Sequence, residues 1–195
     1  SKMSAEFSQS KINTIDKTLQ SWVDSDKYSG IVNLTYSDGE IVHFKAYGYK
    51  DLETQAPMAT DTIFRIYSMT KPVVSVAIMQ LVEQGKIQLD SPITDYIPEF
   101  KQLKVYVDGN YQTPREPITL KHLLTHTAGF SYGWTDHPVD LVYKEINLLR
   151  NNINGSDDFI KKVSKAPLIY HPGEMALLPR LHSTQVTSLA LTPPP

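Results

Sequence analysis

Ser68 and Lys71 are the residues whose types and spacing best suit chemistry. They lie in the stretch Phe64-Arg65-Ile66-Tyr67-Ser68-Met69-Thr70-Lys71-Pro72. A serine hydroxyl becomes a competent nucleophile when a base takes its proton. At positions i and i+3 of a helix start the two side chains share a face, so the amine can reach the hydroxyl. The lysine must be neutral to act as that base, and burial favours this by lowering its pKa from a reference of about 10.4. The free amide hydrogens of a first helical turn add positive potential for a developing oxyanion. Ser8 and Lys11 have the same spacing in a polar amino-terminal segment, where it carries no functional weight. On spacing alone, a plain cap serine beside a surface lysine stays open as the competing reading.

Positioning these two groups calls for a strand, a turn and a buried helix. Residues 62–67 form a short β-prone run. From Met69 to Gln84 the apolar residues Val73, Val74, Val76, Ala77, Ile78, Met79, Leu81 and Val82 lie almost all round, which predicts a helix buried on every side. Pro72 is tolerated in its first turn, and Gly85 is a natural stop. Upstream, Ile12, Ile15, Leu19, Trp22 and Val23 predict an amphipathic helix over about residues 9–25. Residues 31–36 and 41–47 read as strands joined by a turn at Ser37-Asp38-Gly39-Glu40, followed by a polar loop over 48–60. Downstream, residues 86–100 read as a loop and Asp108-Gly109 as a small hairpin. Thr119 caps a helix that stops near Gly129. Val139, Val142, Tyr143, Ile146 and Leu149 mark a third helix, and Ser156-Asp157-Asp158 opens a fourth. His171-Pro172-Gly173 is a turn.

Other candidates have two readings each. His122 and His126 have the i, i+4 spacing of a helical metal pair, but no glutamate follows the first histidine, and ordinary cap or packing roles compete. Phe130, Tyr132 and Trp134 either line an apolar acyl pocket or pack under a loop. The 195 residues suffice for one domain, and a net charge of -2 gives no reason to expect a nucleic-acid partner. No apolar run is long enough to span a bilayer. The absence of cysteine fits the cytosol while excluding neither the periplasm nor secretion. Ser1-Lys2-Met3-Ser4 has the character of a vector scar before Met3.

Three motifs together resemble the class C β-lactamase-like serine hydrolases, and most closely the family VIII carboxylesterases. They are Ala46-Tyr47-Gly48-Tyr49, the stretch from Asp61 through Ser68 and Lys71 to Pro72, and His122-Leu123-Leu124-Thr125-His126-Thr127-Ala128-Gly129. The resemblance runs from about Ser29 to Glu174. It implies an α+β fold of the β-lactamase/transpeptidase type, an antiparallel sheet flanked by helices with a helical subdomain. It also implies Ser68 as nucleophile, Lys71 as its proton acceptor, and a small ester or β-lactam as substrate. Tyr67, Phe130 and Tyr132 are the expected substrate contacts, and neither metal nor cofactor is expected.

The family also uses a tyrosine shortly after Pro-Gly-Glu and a later glycine-containing strand as an oxyanion donor. After Pro172-Gly173-Glu174 this chain reads Met175-Ala176-Leu177-Leu178 and ends in Pro193-Pro194-Pro195. Shifted by one base, codons for Met-Ala-Leu-Leu allow Trp-Arg-Tyr-Ser, so a frameshift is the expectation here. Residues 1–174 then form the amino-terminal part of the domain, and 175–195 a tail not native to the fold, with the carboxyl-terminal strands missing. Two functions compete: a serine carboxylesterase with weak β-lactam hydrolysis, or an impaired relative that keeps the nucleophile turn. Open sheet edges and apolar helix faces predict self-association.

Overall fold

The stripe of Ile12, Ile15, Leu19, Trp22 and Val23 forms helix α1 (Gln9–Asp24), with Ile12 buried and Ser8 accepting a cap hydrogen bond from the amide of Lys11. A computed structural model describes residues 8–148 and 154–175, so the proposed frameshifted tail lies, after Met175, outside the described residues. The chain divides into two compact units between Arg65 and Ile66.

In the first unit α1 packs on an antiparallel sheet of β1 (Gly30–Ser37), β2 (Glu40–Asp51) and β3 (Ala56–Pro57), in that spatial order. Asp38 and Gly39, both at positive φ, make the predicted two-residue turn between Ser37 and Glu40. The polar loop expected from residue 48 begins later than predicted. β2 runs on to Asp51 because Gly48 pairs with Gly30 and Tyr49 with Pro57. A side chain at Gly48 would fall 2.4 Å from the Ser29 carbonyl oxygen, so this close pairing requires glycine.

His43, Lys45 and Tyr47 alternate onto one face of β2, where all three meet Asp16 of α1. The Asp16 carboxylate accepts from the Tyr47 hydroxyl, from His43 Nε2 at 3.0 Å and from Lys45 Nζ at 3.4 Å. Asn33 donates to His43 Nδ1 at 2.9 Å, which leaves the imidazole proton on Nε2, facing Asp16. These bonds, led by the Tyr47 hydroxyl, lower the Asp16 pKa to about 2. A depressed carboxylate stabilises the fold above its unfolded pKa, and that contribution is lost as pH falls through the folded value. Asp16→Asn is therefore expected to lower the melting temperature near neutral pH. The difference from the parent should shrink progressively below about pH 4 as the parent's own carboxylate protonates. Parallel thermal melts from neutral to acid pH check this.

In the second unit a 3₁₀ turn (Tyr67–Met69) leads into α2 (Thr70–Glu83). The hairpin β4 (Val105–Val107) and β5 (Asn110–Gln112) follows, then α3 (Leu120–Leu124), α4 (Pro138–Glu145) and α5 (Gly155–Val163). The loop expected over 86–100 contains two further 3₁₀ turns, Ile93–Asp95 and Pro98–Gln102. Tyr143, Leu168, Val105 and Val139 are the largest fully buried side chains, in a core shared with Phe100, Leu123, Phe130 and Phe159. Leu168 bridges alongside Val105 in parallel, which ties the segment after α5 to the β4–β5 hairpin.

Four expectations need correction. Residues 62–66 are not a strand: no partner strand pairs with them among the described residues, and Ile63 is 96% exposed. α2 is not buried on every side; Thr70 is its single buried residue, while Val73 is 64% and Val76 60% exposed. Val74 packs on the core and Ile78 and Val82 are half-buried, while Val73, Val76, Met79 and Leu81 are exposed. α3 ends at Leu124 rather than near Gly129, because His126 takes a left-handed φ of 60° that a helix cannot accommodate. α4 ends at Glu145, with Asn147 at φ 53°, and Leu149 lies outside the described residues.

Candidate active site

Ser68 occupies the 3₁₀ turn immediately before α2, and Lys71 stands in the first turn of the helix. Tyr67, one residue earlier, holds a left-handed φ of 44°. A bulky residue there is strained, and strain of this kind needs surrounding structure to maintain it. The turn is closed by the Met69 amide donating to the Ile66 carbonyl at 3.0 Å. Met69 is the N-cap of α2 with no side-chain cap bond, so Ser68 does not fill the cap position.

Nor is Lys71 a surface lysine. Its Nζ is shielded from solvent and has no hydrogen-bond partner among the described residues. Desolvation pushes its pKa below the ordinary lysine range. Burial and then the Lys71 charge likewise push His126 below the usual histidine range. The Lys71 charge thus reaches His126, which the spacing of His126 from His122 did not suggest. Because α3 stops at Leu124, the two histidines do not share a helix face. His122 is a capping residue: its Nδ1 accepts from the Thr119 amide and its own amide donates to Thr119 Oγ1, both at 3.2 Å. Its Nε2 faces Glu116 Oε1 at 3.5 Å, so both ring nitrogens are engaged.

The turn carrying His126 is clamped from the other side of the unit. The Gly173 amide donates to the Thr127 carbonyl and the Ile169 amide to the Gly129 carbonyl, both at 2.8 Å. Gly129 has φ 93°, and a β-carbon there would lie 2.3 Å from the Tyr170 carbonyl oxygen. The Pro172-Gly173-Glu174 turn is held in turn by Glu174, which accepts from the His171 amide at 3.1 Å and pairs with Arg115 at 3.6 Å. His171 Nδ1 accepts from the Arg115 amide, so its proton sits on Nε2, which is buried with no acceptor among the described residues. Of the three sequence motifs, the one carrying Lys71 and the one carrying His126 reach into this unit, where the Lys71 charge acts on His126. The third group of expected contacts divides. Tyr67 is exposed, whereas Phe130 packs in the core against Phe100 and Tyr132 is 2% exposed beneath Trp134.

Comparison with known proteins places this arrangement. The family model described as Beta-lactamase matches residues 15–177. Esterase EstB of Burkholderia gladioli is 37% identical over 150 residues, covering 74% of this chain and 36% of that protein. Lovastatin esterase of Penicillium rubens is 30% identical over 168 residues, 82% of this chain and 41% of that protein. Among solved structures, EstCE1, a hydrolase with promiscuous acyltransferase activity, superposes with a TM-score of 0.73 at 27% identity, over 93% of this chain and 45% of its own. The fold is of the β-lactamase/transpeptidase type, α+β with an antiparallel sheet. The chain belongs to the Beta-lactamase family, and it spans less than half the length of the relatives cited here.

Proposed function

We propose that this chain carries the acylation half of a serine carboxylesterase site acting on small acyl esters, with Ser68 as nucleophile and Lys71 as its proton acceptor. The observation that carries this reading is the Lys71 amine, shielded from solvent, without a partner among the described residues, and one helical turn from Ser68. Ser68 Oγ bonds to the acyl carbon while its proton passes to Lys71. The tetrahedral intermediate then expels the alcohol, which takes that proton. Water attacks the acyl-enzyme, releases the carboxylic acid and restores the serine hydroxyl. Tyr67 is the exposed substrate contact of the expected three, whereas Phe130 and Tyr132 are buried. Residues 1–174 read as the amino-terminal part of the catalytic domain.

The same unpartnered amine supports a second reading. In it the amine lacks the proton-shuttling partner that the family resemblance implies, and the chain is an impaired relative that acylates once and stalls. Hydrolysis of p-nitrophenyl butyrate by the parent and by Ser68→Ala separates the outcomes. Sustained release of nitrophenol, lost in the variant, supports the esterase. A stoichiometric burst that then stops supports the stalled relative. Equal rates in both proteins would sink the assignment of Ser68. A nitrocefin arm of the same assay reports lactam cleavage. The exposed apolar faces of α2 support self-association, and a single monomer boundary in sedimentation velocity across a concentration series would contradict it.

A further inference from the structure

A cavity of about 520 Å³ lies between the β4–β5 turn, the start of α4 and the segment 169–174. His171 lines it and is 3% exposed. Its Nδ1 accepts from the Arg115 amide at 3.2 Å, so the ring carries its proton on Nε2. That N–H is buried and has no acceptor among the described residues. Leaving such a donor unpaired is costly, and an acceptor oxygen in the cavity would remove the cost. His137, the N-cap of α4, lines the same cavity. Its Nδ1 accepts from the Val139 amide at 3.2 Å, so this ring too presents an Nε2–H donor.

Two histidines with Asp108 and Glu174 around one cavity have the composition of a metal site. The tautomers argue otherwise, because both Nε2 atoms hold a proton where a metal needs a lone pair. Nor is any group of three such residues placed to hold an ion among the described residues. The charges point to a different ligand. Arg115 and Glu174 lie side by side, with Nη1 3.6 Å from Oε1, longer than a hydrogen bond. Both side chains are exposed, and an ion pair so placed contributes little by itself. It does form an adjacent pair of opposite charges, which a zwitterion complements in reverse. Asp108 adds a second carboxylate at the exposed turn, so a plain anion would meet two carboxylates against one guanidinium. Val105 and Ile169 supply an apolar wall for a carbon side chain.

We propose that this cavity binds a free α-amino acid with an apolar side chain. Its carboxylate accepts from His171 Nε2 and Arg115, its ammonium faces Glu174 and Asp108, and its side chain lies along Val105 and Ile169. Neither Ser68 nor Lys71 lines the cavity, so the proposal does not depend on the esterase reading. Long-range ¹H–¹⁵N correlation spectra of the imidazoles, recorded on the full chain during titration with L-leucine, test it. His171 and His137 should both be seen as Nε2–H tautomers, with the His171 ring signals moving as leucine is added. N-acetyl-leucine, which lacks the ammonium, and leucinamide, which lacks the carboxylate, should each bind about tenfold more weakly or worse. Arg115→Gln and Glu174→Gln should each weaken leucine about tenfold. Both positions are exposed, and glutamine keeps an acceptor for the His171 amide, so these variants should fold as the parent does. Lys101→Gln, which removes an exposed cation outside the cavity wall, should bind leucine like the parent. His171 signals that stay fixed through the millimolar range of leucine would overturn the proposal. So would an Nδ1–H tautomer at His171, or unchanged affinity in Arg115→Gln. N-acetyl-leucine bound as tightly as leucine would overturn it too, since the cavity would then read an anion alone.

Discussion

Lys71→Met is expected to slow acylation at Ser68 by about 10²–10⁴-fold, the range a positioned general base contributes, while making the folded protein more stable near neutral pH. Both effects come from the same desolvated amine. Methionine keeps the length and apolar stem of lysine but removes the group that accepts the serine proton. It also removes a shielded polar atom that has no partner among the described residues, a change worth on the order of 1 kcal/mol. The sign with pH follows from the lowered pKa. The unfolded chain holds the Lys71 proton more tightly than the folded one, so the parent gains stability as pH rises through the folded pKa towards the unfolded value. The stabilising effect of Lys71→Met should therefore fade at alkaline pH. Acylation in the parent should rise over the same range as the amine becomes neutral. Urea melts at several pH values and stopped-flow acylation together check this. A variant that is slower but no more stable would mean that the amine is not desolvated in solution.

Gly129→Ala is expected to destabilise the fold by about 3 kcal/mol or more, combining left-handed backbone strain with a clash that breaks a buried pairing. The clash is with backbone, the Tyr170 carbonyl oxygen 2.3 Å from the added carbon, so no side chain can swing aside. Relief requires residues 168–170 to move off the Gly129 turn, which breaks the bond from the Ile169 amide. Gly39→Ala supplies the control. Gly39 has a similar φ of 84° but nothing within 4 Å of an added carbon, so it reports the strain alone. That should cost about 1–2 kcal/mol. Equal losses in the two variants would mean that the Gly129 turn is not clamped. Because that turn also carries His126, Gly129→Ala should slow acylation where Gly39→Ala does not.

Local chemistry was legible where a short stretch decides its own structure. The α1 stripe, the Ser37–Glu40 turn and the Thr119 cap depend on neighbours a few residues away, and each forms where the pattern places it. Features that depend on distant partners were not legible. All-round apolarity in α2 records what the helix prefers to touch, and the described residues cover one part of it. Residues 62–66 have β-prone side chains, yet β preference is largely a preference for a pleated neighbour, and none pairs with them here. His126 was read against His122 by helical spacing; a left-handed backbone at His126 ends the helix first. No sequence pattern sets Asp140 apart from any other acid in a helical segment. Its bonds from the Ser131 and Thr135 hydroxyls, either side of Gly133, become meaningful only once Asp140 is seen to be buried.

The central claim, that Ser68 is the residue acylated with help from Lys71, is tested most directly by intact-protein and peptide mass spectrometry after exposure to a fluorophosphonate. One adduct per chain is expected, on the peptide carrying Ser68, absent from Ser68→Ala and strongly slowed in Lys71→Met. A protein that gains no adduct, or a Ser68→Ala variant labelled as readily as the parent, would contradict it.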